Sequence, residues 1–299
     1  DYPSRAIRMV VPFGPGGVTD ITARTLAPLL GEALGASIVV ENRAGAATII
    51  GTDLVAKAKP DGYTLLLASG GSLAANPALY KKLPFDTLAD LVGVSQVSTL
   101  PYVIVMSPSA KESSVQEIIA LARVSPGALS YASAGSGSGN HLTAELFASI
   151  AGVQLLHVPY KSGGAMVTDV MSGSVALAFS GLPAAIAQIK GGKLKAIAVT
   201  SPARVPGLPD VPTVAESGGP AFVSMEWTAL LAPAGTPREV VLKINKAVAR
   251  ALENAEAIGK IRTIGADVAP GSPEELEKLL RGDIARWAKL AETVKFEVQ

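Results

Sequence analysis

The sequence predicts an α/β protein of two lobes, and three observations predict it. Short apolar runs bounded by glycine, proline or polar residues alternate with windows of helical period along most of the chain. Apolar residues make up 48% of the sequence and aromatic residues only 5%, so the cores are built from Ala, Val, Leu and Ile, the material of packed helix and sheet layers. At 299 residues the chain is twice a typical domain of about 150 residues, which favours two lobes over one.

The first run, Ile7–Val11, reads as a strand. A glycine-rich turn follows, then a helix over Asp20–Leu34 with apolar residues at i, i+3, i+4 and i+7. Strands Ser37–Val40 and Tyr63–Ala68 flank a helix over Thr48–Ala58. Further strands are expected at Tyr102–Met106, Ala128–Ala132, Leu155–Val158, Val175–Phe179 and Leu194–Thr200, with helices at Ser114–Val124, Leu142–Ile150 and Ala165–Met171. Runs without polar alternation are strands buried on both faces, so most are expected to pair in parallel within βαβ units. Ser201–Pro220 holds five prolines and no period, and reads as a long ordered loop. Beyond it, Thr236-Pro237 offers a cap and a first-turn proline to a charged amphipathic helix over Arg238–Glu253. Ser272-Pro273-Glu274-Glu275 opens a last helix that runs toward Leu290. With lobe crossings placed near Ser98–Tyr102 and Phe222–Glu226, residues 1–100 and 225–299 form one lobe and 101–224 the other.

Composition removes several classes of function. The 26 Lys and Arg nearly cancel the 25 Asp and Glu, leaving +1 with no long run of one sign, so neither nucleic acid nor an anionic membrane is an expected partner. The absence of cysteine excludes disulfides, cysteine-based zinc sites and a cysteine nucleophile. No apolar stretch approaches the roughly 18–20 residues that cross a bilayer. His, Asp and Glu show no metal-ligand spacing, and neither metal nor cofactor is expected.

Chemistry is concentrated in glycine loops at strand ends. "VPFGPGGVTD", Val11 to Asp20, leaves a strand, turns through three glycines and starts a helix. That layout sets the free N–H groups of a first helical turn at the carboxyl edge of a sheet, where anions bind. It also fits a plain strand-to-helix turn that needs positive φ at Gly14, Gly16 or Gly17. "YASAGSGSGNHLTAELF", Tyr131 to Phe147, repeats the layout, with hydroxyls at Ser133, Ser136 and Ser138 and glycines at 135, 137 and 139. Ser69-Gly70-Gly71-Ser72 is a third, shorter loop. Asp20 and Asp53 read as carboxylates complementing helix starts. His157 reads as a strand residue with a hydrogen-bonded ring, Tyr160 as a strand-end residue open to ligand or solvent, and Trp227 as packing near a lobe crossing.

Enzyme motifs fail around these loops. The nucleophile elbow G-x-S-x-G is not met at Ser136 or Ser138, G-x-G-x-x-G breaks at Asn140, and no P-loop occurs. An α/β hydrolase using Ser138 and His141 therefore stays as an alternative without an acidic third member. A carboxylate-sensing module for a signalling partner is a further alternative.

"IRMVVPFGPGGVTDITAR", "VVENRAGA", "AKPDGYTLLLAS", "NPALYKKLPFD", "VPYKSGG", "KLKAIAVTSPARVPGLPDVPTVAESG" and "WTALLAPAGTP", together with the serine-glycine loop, occur in this order nearly end to end. In these segments the sequence resembles the Bug family, the periplasmic solute-binding proteins of tripartite tricarboxylate transporters. The resemblance implies a type II periplasmic binding protein fold (a Venus flytrap), two α/β lobes around a ligand cleft that closes on a small carboxylate. By position it assigns Phe13, Gly16, Gly17, Val18, Thr19 and Asp20 to the ligand from one lobe, with Ser69 and Gly70 nearby. From the other it assigns Ala134, Gly135, Gly137, Ser138 and His141, with Tyr160 and Ser180 bordering the same cleft. The implied partners are a mono- or dicarboxylate, aromatic acids included, and membrane transporter subunits. The implied state is a periplasmic monomer whose signal peptide has been removed. Relatives commonly read Phe-Asp-Asn where this chain has Phe179-Ser180-Gly181, so a carboxylate that could pair with a ligand ammonium is missing, and an acid without an ammonium is expected. Ala46-Ala47-Thr48 also replaces a more glycine-rich stretch.

Overall fold

The run Ile7–Val11 forms β1, and all of its side chains except Arg8 are buried. In the computed structural model, which describes residues 2–135, 138–160 and 163–294, the chain divides into two units. Among the described residues, unit 1 comprises 2–99 and 227–289, and unit 2 comprises 100–226 and 290–294.

In unit 1, β1 is followed by α1 (Val18–Leu34), β2 (Ile38–Asn42), a single 3-10 turn (Ala46–Thr48), α2 (Ile49–Ala56), β3 (Thr64–Ser69), α3 (Gly70–Leu79) and the first part of β4 (Leu91–Met106). Unit 2 takes the rest of β4, then α4 (Val115–Val124), β5 (Ser130–Ser133), α5 (Gly139–Ala151), β6 (Leu156–Pro159), α6 (Gly163–Ser172), β7 (Leu177–Gly181), α7 (Leu182–Lys190) and β8 (Lys195–Val199). The chain returns to unit 1 within β9 (Met225–Pro233), and α8 (Arg238–Ala251), α9 (Ala255–Thr263), β10 (Asp267–Val268) and α10 (Pro273–Thr293) complete it.

Each unit holds a parallel trio joined by helical crossovers. In unit 1, β1 lies between β2 and β3 in register Met9↔Val40 and Met9↔Leu65. In unit 2, β5 lies between β6 and β7 in register Tyr131↔His157 and Tyr131↔Leu177. The expectation of mostly parallel pairing holds for these trios and not beyond them. β9 runs antiparallel to β3, and β4 runs antiparallel to β7, β8 and β10. β4 and β9 carry the chain from one unit into the other without a βαβ crossover, so the parallel rule does not govern them.

Several elements exceed what periodicity suggests. β4 begins at Leu91 rather than Tyr102, because polar residues along it are satisfied by tertiary partners: the hydroxyls of Ser98 and Thr228 lie 2.7 Å apart, and Ser95 donates to Gly271 O at 3.1 Å. Ser69–Ser72 is the cap and first turn of α3 and not a free loop, since the Ser72 N–H donates to Ser69 Oγ at 3.4 Å. Pro237 and not Thr236 occupies the cap position of α8; the Thr236 hydroxyl donates instead to Pro233 O at 2.7 Å. Ser272 behaves as the sequence suggests, accepting the Glu275 N–H at 3.2 Å while Glu275 Oε2 takes the Ser272 N–H at 2.8 Å, a capping box.

The buried residues of both units are mostly aliphatic, as the composition predicts: Leu65, Leu66 and Leu67 in unit 1, Val103, Val105 and Ala178 in unit 2, to which unit 2 adds the rings of Tyr131, Phe147 and Phe179. The Phe147 ring packs on Phe179 at 5.3 Å and edge-on to Phe222 at 5.6 Å.

Beside the first glycine loop, Ala46, Ala47 and Thr48 all take positive φ, at 45°, 48° and 77°. Non-glycine residues pay about 1 kcal/mol or more each for such a conformation, and here tertiary bonds hold it. Asn76 Nδ2 donates to Ala47 O at 3.0 Å, and the Thr52 hydroxyl donates to Thr48 O at 3.0 Å. The next contact needs glycine: a Cβ at Gly51 would stand 2.6 Å from Arg43 O and 2.8 Å from Pro12 Cβ. Because a backbone carbonyl is one of the atoms met, Gly51→Ala is expected to destabilise the protein by about 1–3 kcal/mol, read as a lower urea midpoint at unchanged slope.

Candidate functional site

In unit 1, β1 ends at Val11 and α1 begins at Val18 with Gly17 as its cap residue and no capping side chain. The first helical bond of α1 is Ile21 N–H to Gly17 O at 2.9 Å. The N–H groups of Gly17, Val18, Thr19 and Asp20 are therefore the donors without an intrahelical acceptor. Gly16 and Gly17 are exposed, Phe13 and Val18 half-buried, and Thr19 buried. Gly16 takes φ +85°, the left-handed conformation the turn requires.

Asp20 works behind this loop. Its carboxylate is 2% exposed and accepts the Gly16 N–H at 2.9 Å, Arg24 Nε at 3.0 Å and Asn42 Nδ2 at 2.8 Å. Asn42 also donates to Phe13 O at 3.0 Å and accepts from Arg24 Nη2 at 2.8 Å. Asp20 therefore fixes the turn through Gly16, and Arg24 compensates its charge. Burial alone would raise the Asp20 carboxyl, but the bonds from Arg24, Gly16 and Asn42 outweigh it and hold it below the ordinary carboxylate range. Ser69 and Gly70 stand at the end of β3, which is parallel to β1. Gly70 is buried beneath Trp227, whose indole carbons would lie 2.1 Å from a Cβ there. The Trp227 N–H donates to Asp283 at 2.8 Å.

Unit 2 repeats the arrangement. β5 ends at Ser133, and α5 begins at Gly139 with Ser138 as its cap residue and no side-chain cap bond. The first helical bond, Leu142 N–H to Ser138 O at 3.0 Å, leaves Gly139, Asn140 and His141 as the first-turn donors. The turn is pinned from within. Gly135, at φ +119°, gives its N–H to Ser133 Oγ at 3.1 Å, and its carbonyl takes the Ser138 N–H at 3.2 Å and the Ser138 hydroxyl at 2.5 Å. Ala134 N–H donates to Asn140 Oδ1 at 3.3 Å. Gly137 lies outside the described residues. Gly139 is tightly enclosed, with Tyr102 Oη 2.1 Å and Glu226 Oε2 2.7 Å from the Cβ it lacks. The Tyr102 hydroxyl donates to Glu226 at 2.9 Å.

His141 is 6% exposed and stacks on His157 at 4.0 Å, and His157 stacks in turn on Tyr131 at 5.0 Å. Burial, and then the neighbouring His157, lowers His141 from 6.5 to about 4. The single Ser138 hydroxyl proton has two acceptors within reach, Gly135 O at 2.5 Å and Asn140 Oδ1 at 2.6 Å, and neither is an imidazole. Tyr160 follows β6, donates its hydroxyl to Asp169 at 2.7 Å and is pushed up to about 12 by that bond. Ser180 does not join the loop: it is fully buried within β7, opposite Val103, with its hydroxyl 3.3 Å from Gly181 O. Among the described residues no group of three or more His, Cys, Asp or Glu could hold a metal ion, and no helix is long and apolar enough to cross a membrane.

Sequence reading missed Arg24, Asn42 and Glu226; it named Ser133 and His157 without pairing them, and the hydrogen-bonded ring expected of His157 is found, its Nε2 2.6 Å from Ser133 Oγ. Each lies far along the chain from at least one group it serves, and only strand register brings them together. Asn42, which directly follows an apolar strand, carries the one local signal: a polar residue at the carboxyl edge beside a glycine loop.

Two pH effects follow from these environments. The lowered Asp20 carboxyl stabilises the fold above its unfolded value of about 3.9 and stops doing so as pH falls through its lower folded value. Asp20→Ala is thus expected to cost about 2–3 kcal/mol near neutrality, with the gap to wild type closing in denaturation curves taken below about pH 4. For His141 the unfolded chain binds protons first, so stability is complete above pH 6.5 and declines as pH falls toward about 4. His141→Phe, which keeps a ring in the stack, is expected to flatten that decline in thermal scans.

Residues 22–296 match the family described as tripartite tricarboxylate transporter family receptor. Protein BugT of Bordetella pertussis is 40% identical over 288 residues, covering 96% of this chain and 88% of BugT. The solved structure of R. palustris Rpa4515 with adipate is 37% identical with a TM-score of 0.83 over 98% of both chains. That of the periplasmic binding protein BugD is 35% identical with a TM-score of 0.80 over the whole of both chains. The chain belongs to the receptors of the tripartite tricarboxylate transporter family.

Proposed function

We propose that this receptor works outside the cytoplasmic membrane as a monomer, captures a small mono- or dicarboxylate, and delivers it to the membrane subunits of a transporter. The observation that carries the reading is the repeated strand, glycine turn and helix, one in each unit, with cap residues Gly17 and Ser138 that make no side-chain capping bond. A relative of the same fold solved with adipate supports an aliphatic diacid.

In this reading a ligand carboxylate is taken by the β1–α1 turn and a second acidic or polar group by the β5–α5 turn. Binding then favours the state in which both turns are engaged, a population shift set by the ligand's differential affinity. Neutral donors suffice. A hydrogen bond to a charged acceptor contributes about 1.5–3 kcal/mol, and micromolar affinity needs only about 8 kcal/mol net. The ligand carries no ammonium: position 180 offers a buried hydroxyl where a carboxylate could have stood, and the Asp20 carboxylate is already taken by Arg24, Gly16 and Asn42. In this reading the protein is a receptor and not an enzyme, which agrees with the acceptors found for the Ser138 hydroxyl among the described residues, Gly135 O and Asn140 Oδ1.

A thermal-shift and calorimetric panel tests the proposal, using adipate, shorter and longer diacids, monocarboxylates, aromatic acids, aspartate and glutamate. Simple acids are expected to stabilise the protein, by about 2.7 kcal/mol at a hundred times Kd. Ser138→Ala is expected to weaken binding only in part, because it removes a brace of the turn and leaves the N–H groups in place. Aspartate or glutamate binding far more tightly than any diacid would sink the ligand assignment, and stabilisation by no acid at all would sink the receptor reading.

A further inference from the structure

Asn42 closes β2 opposite Val11 in the parallel register with β1, and two residues on from Val11 comes Phe13, at the entry to the glycine turn. Its side chain makes three bonds there. Nδ2 donates to Phe13 O at 3.0 Å and to Asp20 Oδ1 at 2.8 Å, while Oδ1 accepts from Arg24 Nη2 at 2.8 Å. The partners fix every direction, because a guanidinium only donates and a carbonyl or an ionised carboxylate only accepts. The two protons of the amide nitrogen meet two acceptors. The reversed amide would set its oxygen against two oxygens and its nitrogen against a cation, so one orientation alone satisfies all three contacts. Asp20 in turn takes the Gly16 N–H at 2.9 Å and Arg24 Nε at 3.0 Å. The turn is thereby held at both ends, at Phe13 O by Asn42 and at the Gly16 N–H by Asp20, with only Gly14 and Pro15 between. Because Asn42 and Asp20 also bond each other, the two ends are fixed relative to one another.

We propose that Asn42 is a positioning residue for the ligand loop of unit 1: holding the Phe13 carbonyl and the Asp20 carboxylate with one amide, it fixes the turn that presents the first-turn N–H groups of α1. The inference rests on the carboxylate-receptor reading, because the quantity it controls is affinity for the acid. Both amide protons are used within the protein, so Asn42 acts on the turn and not on the ligand. Packing does not hold this turn. A Cβ added at Gly14, Gly16 or Gly17 would meet nothing within 4 Å, so hydrogen bonds must restrict a backbone that its own side chains leave free. A loose turn would have to be ordered by the arriving acid, and that cost is subtracted from binding. The neighbours of Asn42 offer no substitute, since Glu41 pairs with Arg43 and with Arg8.

Calorimetry with adipate on the full chain tests this, or with another simple diacid of the panel where that binds more tightly, at a temperature where unfolding curves show every variant folded. Asn42→Leu keeps the bulk of the side chain and removes all three bonds, and is expected to weaken binding about tenfold. Asn42→Asp keeps the acceptor for Arg24, loses both donors and sets a second carboxylate against Asp20 and Phe13 O, and is expected to lose at least as much. Amide hydrogen exchange of the ligand-free protein supplies a local readout: the Gly16 N–H is expected to exchange faster in Asn42→Leu, with that of Ser138 in the unit 2 turn unchanged. A purely structural role would lower the unfolding midpoint and leave Kd as in wild type. Wild-type affinity in Asn42→Leu or in Asn42→Asp, or exchange that quickens at Ser138 as much as at Gly16, would overturn the inference while the receptor reading stands. A wild-type protein that binds no acid would overturn both. Should neither variant fold, Asn42→Ser, whose hydroxyl stands one bond short of the Nδ2 position, is expected to show the same loss and carries the comparison.

Discussion

A helix whose cap residue makes no side-chain capping bond leaves main-chain N–H groups that some acceptor must satisfy. This chain builds that situation twice, at Gly17 and at Ser138, and both times at the carboxyl edge of a parallel trio of strands. The placement follows from the connectivity. A parallel strand can be reached only through a crossover, so each crossover helix starts where a strand has just ended, with its positive end at the sheet's carboxyl edge. Water can accept from such donors, and so can a carboxylate, which gains more from them because it is charged.

The side chains with the best-defined geometry around these turns face the protein's own backbone. Asp20 holds Gly16, Asn42 holds Phe13, and Ser133 holds Gly135. This division has an electrostatic consequence. A buried carboxylate beside the proposed anion site would repel an acidic ligand were it not neutralised, and Arg24 supplies that neutralisation while staying half exposed. In unit 2 the pinning group is a neutral hydroxyl, and His141 is held neutral by burial, so no fixed cation is needed there. Specific main-chain donors on a near-neutral protein agree with a charge of +1 that is not gathered into a patch.

Much of the scaffold was legible because the parallel strands are short, apolar and bounded by breakers, as in "IRMVV" and "TLLLAS". The glycine loops were legible for a related reason: three glycines between a strand and a helix have few uses other than a tight turn with exposed amides. β4 before Tyr102 was not legible, because Gly93, Ser95, Gln96 and Ser98 carry no strand signal until Thr228 and Gly271 arrive to bond them. α3 was hidden for the opposite reason, since Ser69–Ser72 looks like a loop until Ser69 caps the helix and Trp227 covers Gly70. Ser180 drew attention by its place after an apolar strand, yet the strand runs on through Gly181 and keeps it inside.

By itself the sequence determined the α/β alternation, the two glycine turns and the family, because each is written in contiguous residues whose local conformational preferences and order along the chain suffice to specify it. Only the tertiary structure decided which side chains hold those turns. Asn42 reaches Asp20, and His157 reaches Ser133, across strand registers that no local pattern encodes. A shift of one residue in either pairing would turn the same side chains to the opposite face of the sheet, so their roles are properties of the folded register and not of the chain's local composition.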